Sequence, residues 1–407
     1  MAPYESDDAT AAAQEDDTPS GRRKAARYAV PVAVVGVAAA TIGLVPALAD
    51  SGDPDLPKIT AQQLIDKIAK SDVQQLSGTV KVSTDLGLPD LGGLESSLAS
   101  GAARGGDGSS ADPKSHLTEL VSGTHTLRVA ADGPDRQKLS LLESGAEYSM
   151  IHDGKDVWGY DSKTDEVYHG TAAAPAGKHR AEPPATPKDF ADEALKAVDG
   201  TTSVTVDGTA QVAGRDAYKL LIKPKQSGTT VGAVSIAVDA KTGMPLKFTL
   251  TPRSGGAAVL DAGFTQVSFG RPAASTFDFT PPKGAKVTEE KDRGRAPEHA
   301  PKAGGDFPKG LGGAHGPQGA HGPKVIGQGW TAIATFDTGT KGGVPSGAKG
   351  GELGGFLGSL GDQVSGKFGK GTVFSTRLVN ALITDDGKVY AGAVTKDALV
   401  KAADQGK

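Results

Sequence analysis

Apolar positions recur along most of this chain with a period of two. Leu76 to Thr84, then "SGTHTLRVAADG" and "DRQKLSLLESG", each alternate apolar with polar residues, and the latter two end at a Gly. That pattern predicts half-buried β-strands. The run "MIHDGKDVWGYDSKTDEVYHG" supplies three more strands, Tyr148–Ile151, Asp156–Tyr160 and Glu166–His169. Asp153-Gly154 marks a tight hairpin between the first two, and Asp161–Asp165 a longer turn before the third. "TSVTVDGTAQVAG", "RDAYKLLIKP", "TVGAVSIAVDAKTGMPLKFTLTP", "AAVLDAGFTQVSFG" and "STFDFTPPKGAKV" continue the series.

A helical period replaces the alternation in two places within this region. Thr60 is an N-cap with Gln63 three residues on, and Leu64, Ile65, Ile68 and Ala69 follow on one face. After the Pro-rich crossing "APAGKHRAEPPATP", the stretch "PKDFADEALKAVDG" reads as the second helix. The expected architecture is one large, consecutive, antiparallel sheet with two helices near a face. Such a sheet buries one side and wets the other. With so few helices, something else must cover the concave side.

The segment "LGLPDLGGLESSLASGAARGGDGSSADP", residues 86–113, is different in kind. It sets Leu86, Leu88, Leu91, Leu94 and Leu98 among Gly and Ser. A long loop that keeps apolar residues is seldom a mere connector.

Beyond residue 287 the chain turns low-complexity, from Thr288 to about Pro323. "GAHGPQGAHGPK" is an internal repeat carrying His315 and His321; a flexible linker is a far better account of it than a metal site. A second small unit follows. "KVIGQGWTAIATFDTG" is expected as a strand carrying Trp330 and Phe336, and a Gly-rich excursion with a short Leu/Phe segment comes after it. Then come two strands, an Asp-Asp-Gly turn at 385–387, another strand, and a closing helix from Lys396 capped by Thr395.

The N-terminus bears on compartment. Residues 1–27 begin with an acidic stretch lacking apolar periodicity, read as a disordered cytoplasmic tail, and end in "RRKAAR". From Ala29 to Ala49 the chain has no charge and about the length of a bilayer crossing. Basic residues on its N-terminal side place the remainder outside the cytoplasm. Ala47-Leu48-Ala49 fits a cleavage site. A cleaved signal peptide and an uncleaved signal-anchor both stay open for 28–49. The expected division is then 52–287 for the large domain, 288–323 for the linker and 324–407 for the small strand-and-helix domain.

Composition narrows the chemistry. The 407 residues carry a net charge of -4, which gives no case for nucleic acid as a partner. No cysteine is present, so disulfides, thiolate metal sites and a lipid-modified Cys are excluded. Gly numbers 57 and aromatic residues make up 5%, so the core must be built mainly from Val, Leu, Ile and Ala. The chain contains no G-x-S-x-G elbow, no H-E-x-x-H and no P-loop. His152, directly before the Asp-Gly turn, is expected exposed at a hairpin tip, and Trp158 and Tyr160 share a face by period two. The run around them reads as sheet rather than as a reaction centre.

"DGKDVWGYDSKTDEVYH", "VDAKTGMPLKF" and "FTQVSFGRPAASTFDFTPPKGAKV" resemble signature stretches of the LolA/LolB-like superfamily. That group takes in lipoprotein carriers, lipid-binding lipoproteins and the N-terminal domain of RseB/MucB-type stress regulators. The resemblance spans about Leu56 to Val287. It implies a mainly β (α+β) fold: a large curved antiparallel sheet, an open half-barrel, closed by helices and an apolar loop on its concave face. It also implies a cavity for acyl chains, with the Leu-dotted loop placed as a lid. A following small domain matches the layout of RseB-like proteins, in which it contacts an anti-sigma factor. The candidate ligand-contacting residues are Leu86, Leu88, Leu91, Leu94 and Leu98 in the lid. On the sheet they are Val80, Val82, Leu127, Val129, Leu139, Leu141, Trp158 and Tyr160. Each taken singly serves as well in an ordinary core. Three readings stand: a carrier of a lipid or of a lipoprotein's acyl chain near the cell membrane, a regulator contacting a membrane protein through its C-terminal domain, and, least supported, an enzyme. No cofactor or metal is expected.

Overall fold

The computed structural model describes residues 54–87, 111, 116, 120, 122–171, 186–289, 324–337 and 361–406. The N-terminal tail and apolar segment, most of the Leu-dotted loop, the Pro-rich crossing, the His-containing repeat and most of the Gly-rich excursion lie outside them. Among the described residues no helix is long and apolar enough to cross a membrane.

Helix α1 (Ala61–Ala69) begins at the expected capping box. Thr60 Oγ1 accepts the Gln63 N–H at 3.2 Å, and Gln63 Oε1 accepts the Thr60 N–H at 2.9 Å. The helix buries Leu64 and Ile68. Helix α2 (Pro187–Lys196) uses the same device with Thr186 and Asp189, and Pro187 at its first position supplies a pre-set φ.

Twelve strands form one open sheet: β1 (Gln75–Thr84), β2 (Gly123–Asp132), β3 (Arg136–Glu143), β4 (Ala146–Asp153), β5 (Asp156–Asp161), β6 (Glu166–Thr171), β7 (Thr202–Val212), β8 (Arg215–Pro224), β9 (Val231–Asp239), β10 (Pro245–Pro252), β11 (Leu260–Ser268) and β12 (Lys286–Glu289). Their order is β12-β6-β5-β4-β3-β2-β1-β11-β10-β9-β8-β7. The sheet is not purely consecutive or antiparallel as expected. β1 joins two meanders by pairing with β2 and β11, and β12 pairs parallel to β6.

The departure at β12 has a clear cause. The stretch "STFDFTPPKGAKV" does not extend the meander as a strand; it runs as a strap across the outer face. Arg271 Nε donates to Asp132 on β2 at 3.1 Å. Arg136 on β3 stands over the Phe277 ring, 6.0 Å from its centroid, and Phe279 packs on Trp158 and Tyr160 of β5. Phe277 is 1% exposed. Three prolines before and within this stretch remove the N–H groups a strand would need.

Both helices lie on the other, inner face. Leu64, Ile68 and Ala191 form one apolar cluster with Leu220, Ile222, Val234, Ile236 and Phe248 of β8–β10. At the β9–β10 turn, Asp239 Oδ1 accepts the N–H groups of Lys241 and Thr242 at 3.0 and 2.6 Å, and Oδ2 accepts Arg215 Nε at 2.5 Å. Burial works against the Asp239 carboxylate, but these donors outweigh it and hold its pKa below the usual range. Gly243 in that turn has φ +76°, and a Cβ there would collide with the Lys67 carbonyl at the end of α1.

A second sheet has the order β13-β14-β18-β17-β16-β15. Its strands are β13 (Lys324–Ile326), β14 (Ile333–Asp337), β15 (Asp362–Gly366), β16 (Gly369–Ser375), β17 (Asn380–Thr384) and β18 (Lys388–Gly392). Helix α3 (Lys396–Gln405), capped by Thr395 as expected, covers one face through Leu399, Ala402 and Ala403. The expected single strand through Trp330 is instead β13, a 3-10 turn at Gly329–Thr331 and β14. Positive φ at Gly327 and Gly329 breaks it. The turn carries Trp330 to the large sheet, where its indole Nε1–H donates to Thr202 Oγ1 at 2.8 Å. The two sheets also join through backbone bonds from Thr230 to Ala393 and from Thr395 to Gly228.

Candidate ligand-binding face

Pairing register decides which residues share a face. One cross-strand row on the inner face runs Phe264, Val80, Leu127, Leu141, Tyr148 across β11, β1, β2, β3 and β4. The neighbouring row runs Val129, Leu139, Met150, Gly159, Tyr168 from β2 to β6. Val82 joins them beside Ala262. Six of the eight expected sheet residues, Val80, Val82, Leu127, Val129, Leu139 and Leu141, are therefore brought together. They belong to one apolar cluster, with Leu139 and Met150 only partly buried. Helices α1 and α2 cover the β7–β10 half of this face, and over the β2–β6 half the loop between β1 and β2 places His116, which is itself helical.

Three residues of the loop between β1 and β2 are described on that half. Ala111 is 0% exposed, and its carbonyl accepts the Tyr148 hydroxyl at 3.2 Å. The His116 ring stacks on Tyr148 with centroids 3.9 Å apart and planes 18° from parallel. The Leu120 carbonyl accepts Thr84 Oγ1 at 3.0 Å, and its side chain packs with Val80 and Leu127. Gly159 makes room for this approach, since a Cβ there would collide with the Ala111 carbonyl.

Trp158 and Tyr160 do share a face, but it is the outer one. Trp158 pairs with Ile151 and Tyr160 with Ser149, whereas Gly159 between them points inward beside Met150. Both aromatics pack on Phe279 of the strap. Alternation within a strand fixes which residues share a side; only cross-strand register says which side of the sheet that is. Leu86 also departs from expectation. It packs near Val231, Val259 and Leu378 at the junction with the small sheet. Leu88, Leu91, Leu94 and Leu98 lie outside the described residues. Tyr148, Met150 and Phe264 belong to the inner face and were missed. Tyr148 and Met150 alternate in the β4 stretch, but nothing local shows that they, rather than Ser149 and Ile151, point inward.

On the outer face, His169 bridges three elements. Its ring stacks on Trp158 at 3.8 Å, Nε2 lies 3.0 Å from Asp156 Oδ1, and Nδ1 lies 2.9 Å from Glu289 Oε2 on β12. Burial lowers the tendency of the ring to charge, but the two carboxylate hydrogen bonds prevail and raise its pKa above 6.5. His152 is half-buried rather than exposed, with Nε2 3.0 Å from the Gly154 carbonyl. A polar groove of about 470 Å³ crosses β11 and β1–β4, with Thr79, Arg128, Ser140, Glu147, Gln266 and Thr276 along it. There Ser149 donates to Glu147 Oε1 at 2.8 Å and bonds Ser140 at 2.8 Å. Burial opposes the Glu147 charge, but these hydroxyls and the nearby Lys138 and Arg128 hold its pKa low.

No family model matches this chain, and no curated protein matches its sequence. Solved structures do. The chain is similar to MucB in the complex of Pseudomonas aeruginosa MucA/MucB, at 14% identity and a TM-score of 0.37, over 84% of this chain and 96% of that one. It is similar to an uncharacterized conserved protein from Thermus thermophilus, at 14% identity and a TM-score of 0.31, over 56% of this chain and 98% of that one. A LolA superfamily protein from Nitrosomonas europaea matches at 10% identity and a TM-score of 0.21, over 55% of this chain and 99% of that one. The groups that the turn and strand stretches resemble are thus among the solved structures this chain matches.

Proposed function

We propose that this chain is an extracytoplasmic, non-catalytic binding protein that holds a lipid, or the acyl chain of a lipoprotein, against the β2–β6 half of its inner face, which α1 and α2 leave uncovered. One observation carries the reading. Val129, Leu139, Leu141 and Met150 line a sheet face that α1 and α2 leave uncovered, and the described residues of the β1–β2 loop, Ala111, His116 and Leu120, sit over it. An apolar face beneath a Gly/Ser-rich loop dotted with leucines accepts alkyl chains at roughly 0.8 kcal/mol per buried CH2. Leu88, Leu91, Leu94 and Leu98 close over the cargo in this reading. The uncharged run 28–49 delivers the chain to the cell envelope.

Native mass spectrometry of the exported chain, purified without detergent, tests this directly. A discrete added mass that organic solvent releases as lipid is the expected result. A clean apo mass with no uptake of offered phospholipid or acylated peptide sinks the proposal.

A second reading, a regulator acting on a membrane protein, is favoured by the grip of the small sheet on Asp85–Gly87, where the β1–β2 loop begins. In that reading cargo under the loop alters the surface that the small sheet presents. Hydrogen exchange distinguishes the two: a regulator changes protection at β16–β17 on loading, and a simple carrier does not.

A further inference from the structure

We propose that the polar groove on the outer face of the large sheet binds a small, hydroxyl-bearing ligand with a single oxyanion charge, held by Arg128 and Lys138. Cross-strand register explains why this face carries a groove. One outward row runs Gln266, Thr79, Arg128, Ser140 across β11, β1, β2 and β3, and the next runs Ser77, Ala130, Lys138. Strands favour β-branched and aromatic side chains, yet Ser77, Ala130 and Ser140 are small, so the floor sinks between the longer Arg128, Lys138 and Gln266. Thr276 of the strap closes one side, and Glu147 on β4 closes one end. From β11 to β4 is four strand spacings, about 19 Å. The volume is about 470 Å³, within the roughly 300–1,000 Å³ of small-molecule sites. The site is independent of the acyl-binding reading, which concerns the other side of the sheet.

The charges along the groove select the ligand. Arg128 and Lys138 are diagonal neighbours on β2 and β3, near enough for two long side chains to meet one group. With Glu147 they are the charged residues that line it. Two cations and one carboxylate leave a single positive charge, which matches a monoanion. Ser149 donates to Glu147 Oε1 at 2.8 Å and fixes that carboxylate in place, so a second negative charge on the ligand would be repelled. Arg128 Nη1 stands 3.8 Å from Glu147 Oε2, an ion pair too long for a hydrogen bond. The Arg128 N–H groups, the Lys138 ammonium and the side chains of Thr79 and Gln266 hydrogen-bond no other described residue. Arg128 offers a planar fork to a phosphate or carboxylate, and Lys138 a point charge beside it. Thr79 and Gln266 then serve the ligand's hydroxyls, with Glu147 as a further acceptor.

Two probes of the same chemistry test this on the full chain. Glycerophosphoglycerol, a singly charged phosphodiester with free hydroxyls, is titrated by calorimetry. The same headgroup is offered on phosphatidylglycerol vesicles, and binding is read as the excess over phosphatidylcholine vesicles. Saturable binding of the free diester supports a soluble ligand, and binding of the vesicles alone assigns the chemistry to a lipid headgroup. In either case Arg128→Gln with Lys138→Gln should weaken binding at least about tenfold. Tryptophan emission and the urea midpoint should stay as in the parent, because Arg128 is exposed and Lys138 half-buried. Glu147→Gln should improve binding of glycerol phosphate, a doubly charged monoester at about pH 8, more than binding of the diester. Binding of neither probe overturns the proposal. So does free-diester binding that survives the double substitution, or a vesicle excess that survives it without any binding of the free diester.

Discussion

Arg377, in the β16–β17 turn of the small sheet, holds Asp85 at the end of β1 in the large one. Its Nη1 donates to Asp85 Oδ2 at 2.6 Å and to the Asp85 carbonyl at 3.2 Å, and its own N–H donates to the Leu86 carbonyl at 2.8 Å. A second arm reaches the Ala257 carbonyl. Gly87, at φ +66°, has no Cβ to collide with the arginine stem. The root of the β1–β2 loop is thereby tied to a different sheet. Arg377→Ala should cost about 1 kcal/mol, because Asp85 is largely exposed and the ion pair is screened. Hydrogen exchange at residues 85–87 should rise more than anywhere in β2–β6, and uniform change would show that the contact is not local.

Gly159 is the place where the loop and the sheet meet most closely. Its backbone is ordinary β, so alanine is tolerated by the strand but not by the Ala111 carbonyl above it. Gly159→Ala should lift the loop around Ala111, at a cost of about 1–3 kcal/mol, and speed proteolytic cleavage within 88–121. Lipid retention should fall with it. Cleavage at the unaltered rate would place the loop's hold elsewhere.

Phe277 anchors the strap. At 1% exposure it is among the largest fully buried side chains, and Phe277→Ala removes it without touching the inner face. A loss of about 3 kcal/mol in urea unfolding is expected, with retained lipid binding. Lost binding at full stability would contradict the division between the two faces.

The strap's far end should respond to pH. The His169 pKa is raised above its ordinary 6.5, so its contribution is complete below that value. It falls away as pH rises through the higher folded value, because a neutral ring cannot donate to both Asp156 and Glu289. Asp156 and Glu289 face the ring directly, Lys286 and Glu166 form an ion pair three residues away along the β12–β6 pairing, and Tyr160 on β5 donates to Asp165 in the following turn. In a Trp330→Phe variant, the emission of Trp158, stacked on this ring, should titrate with a midpoint above 6.5. The titration should vanish in His169→Gln.

What the sequence determined by itself was local. Thr60 with Gln63 and Thr186 with Asp189 specify their helices because the caps are satisfied within one turn. Asp153-Gly154 and the Asp161 turn specify hairpins because a positive φ and a side-chain acceptor are needed at fixed positions, and period two groups Val80 with Val82 and Trp158 with Tyr160. Tertiary structure alone decided which group faced inward. Trp158 and Tyr160 went to the outer face because register across β4 and β5 turns Gly159 toward Met150. Leu86 went to the junction because Arg377, far along the chain, holds the neighbouring backbone. The strap that buries Phe277 and the parallel pairing of β12 also rest on contacts between residues more than a hundred positions apart. Hydrophobic periodicity reports only that a side is buried; the partner that buries it is set by packing at long range, and no local pattern records it.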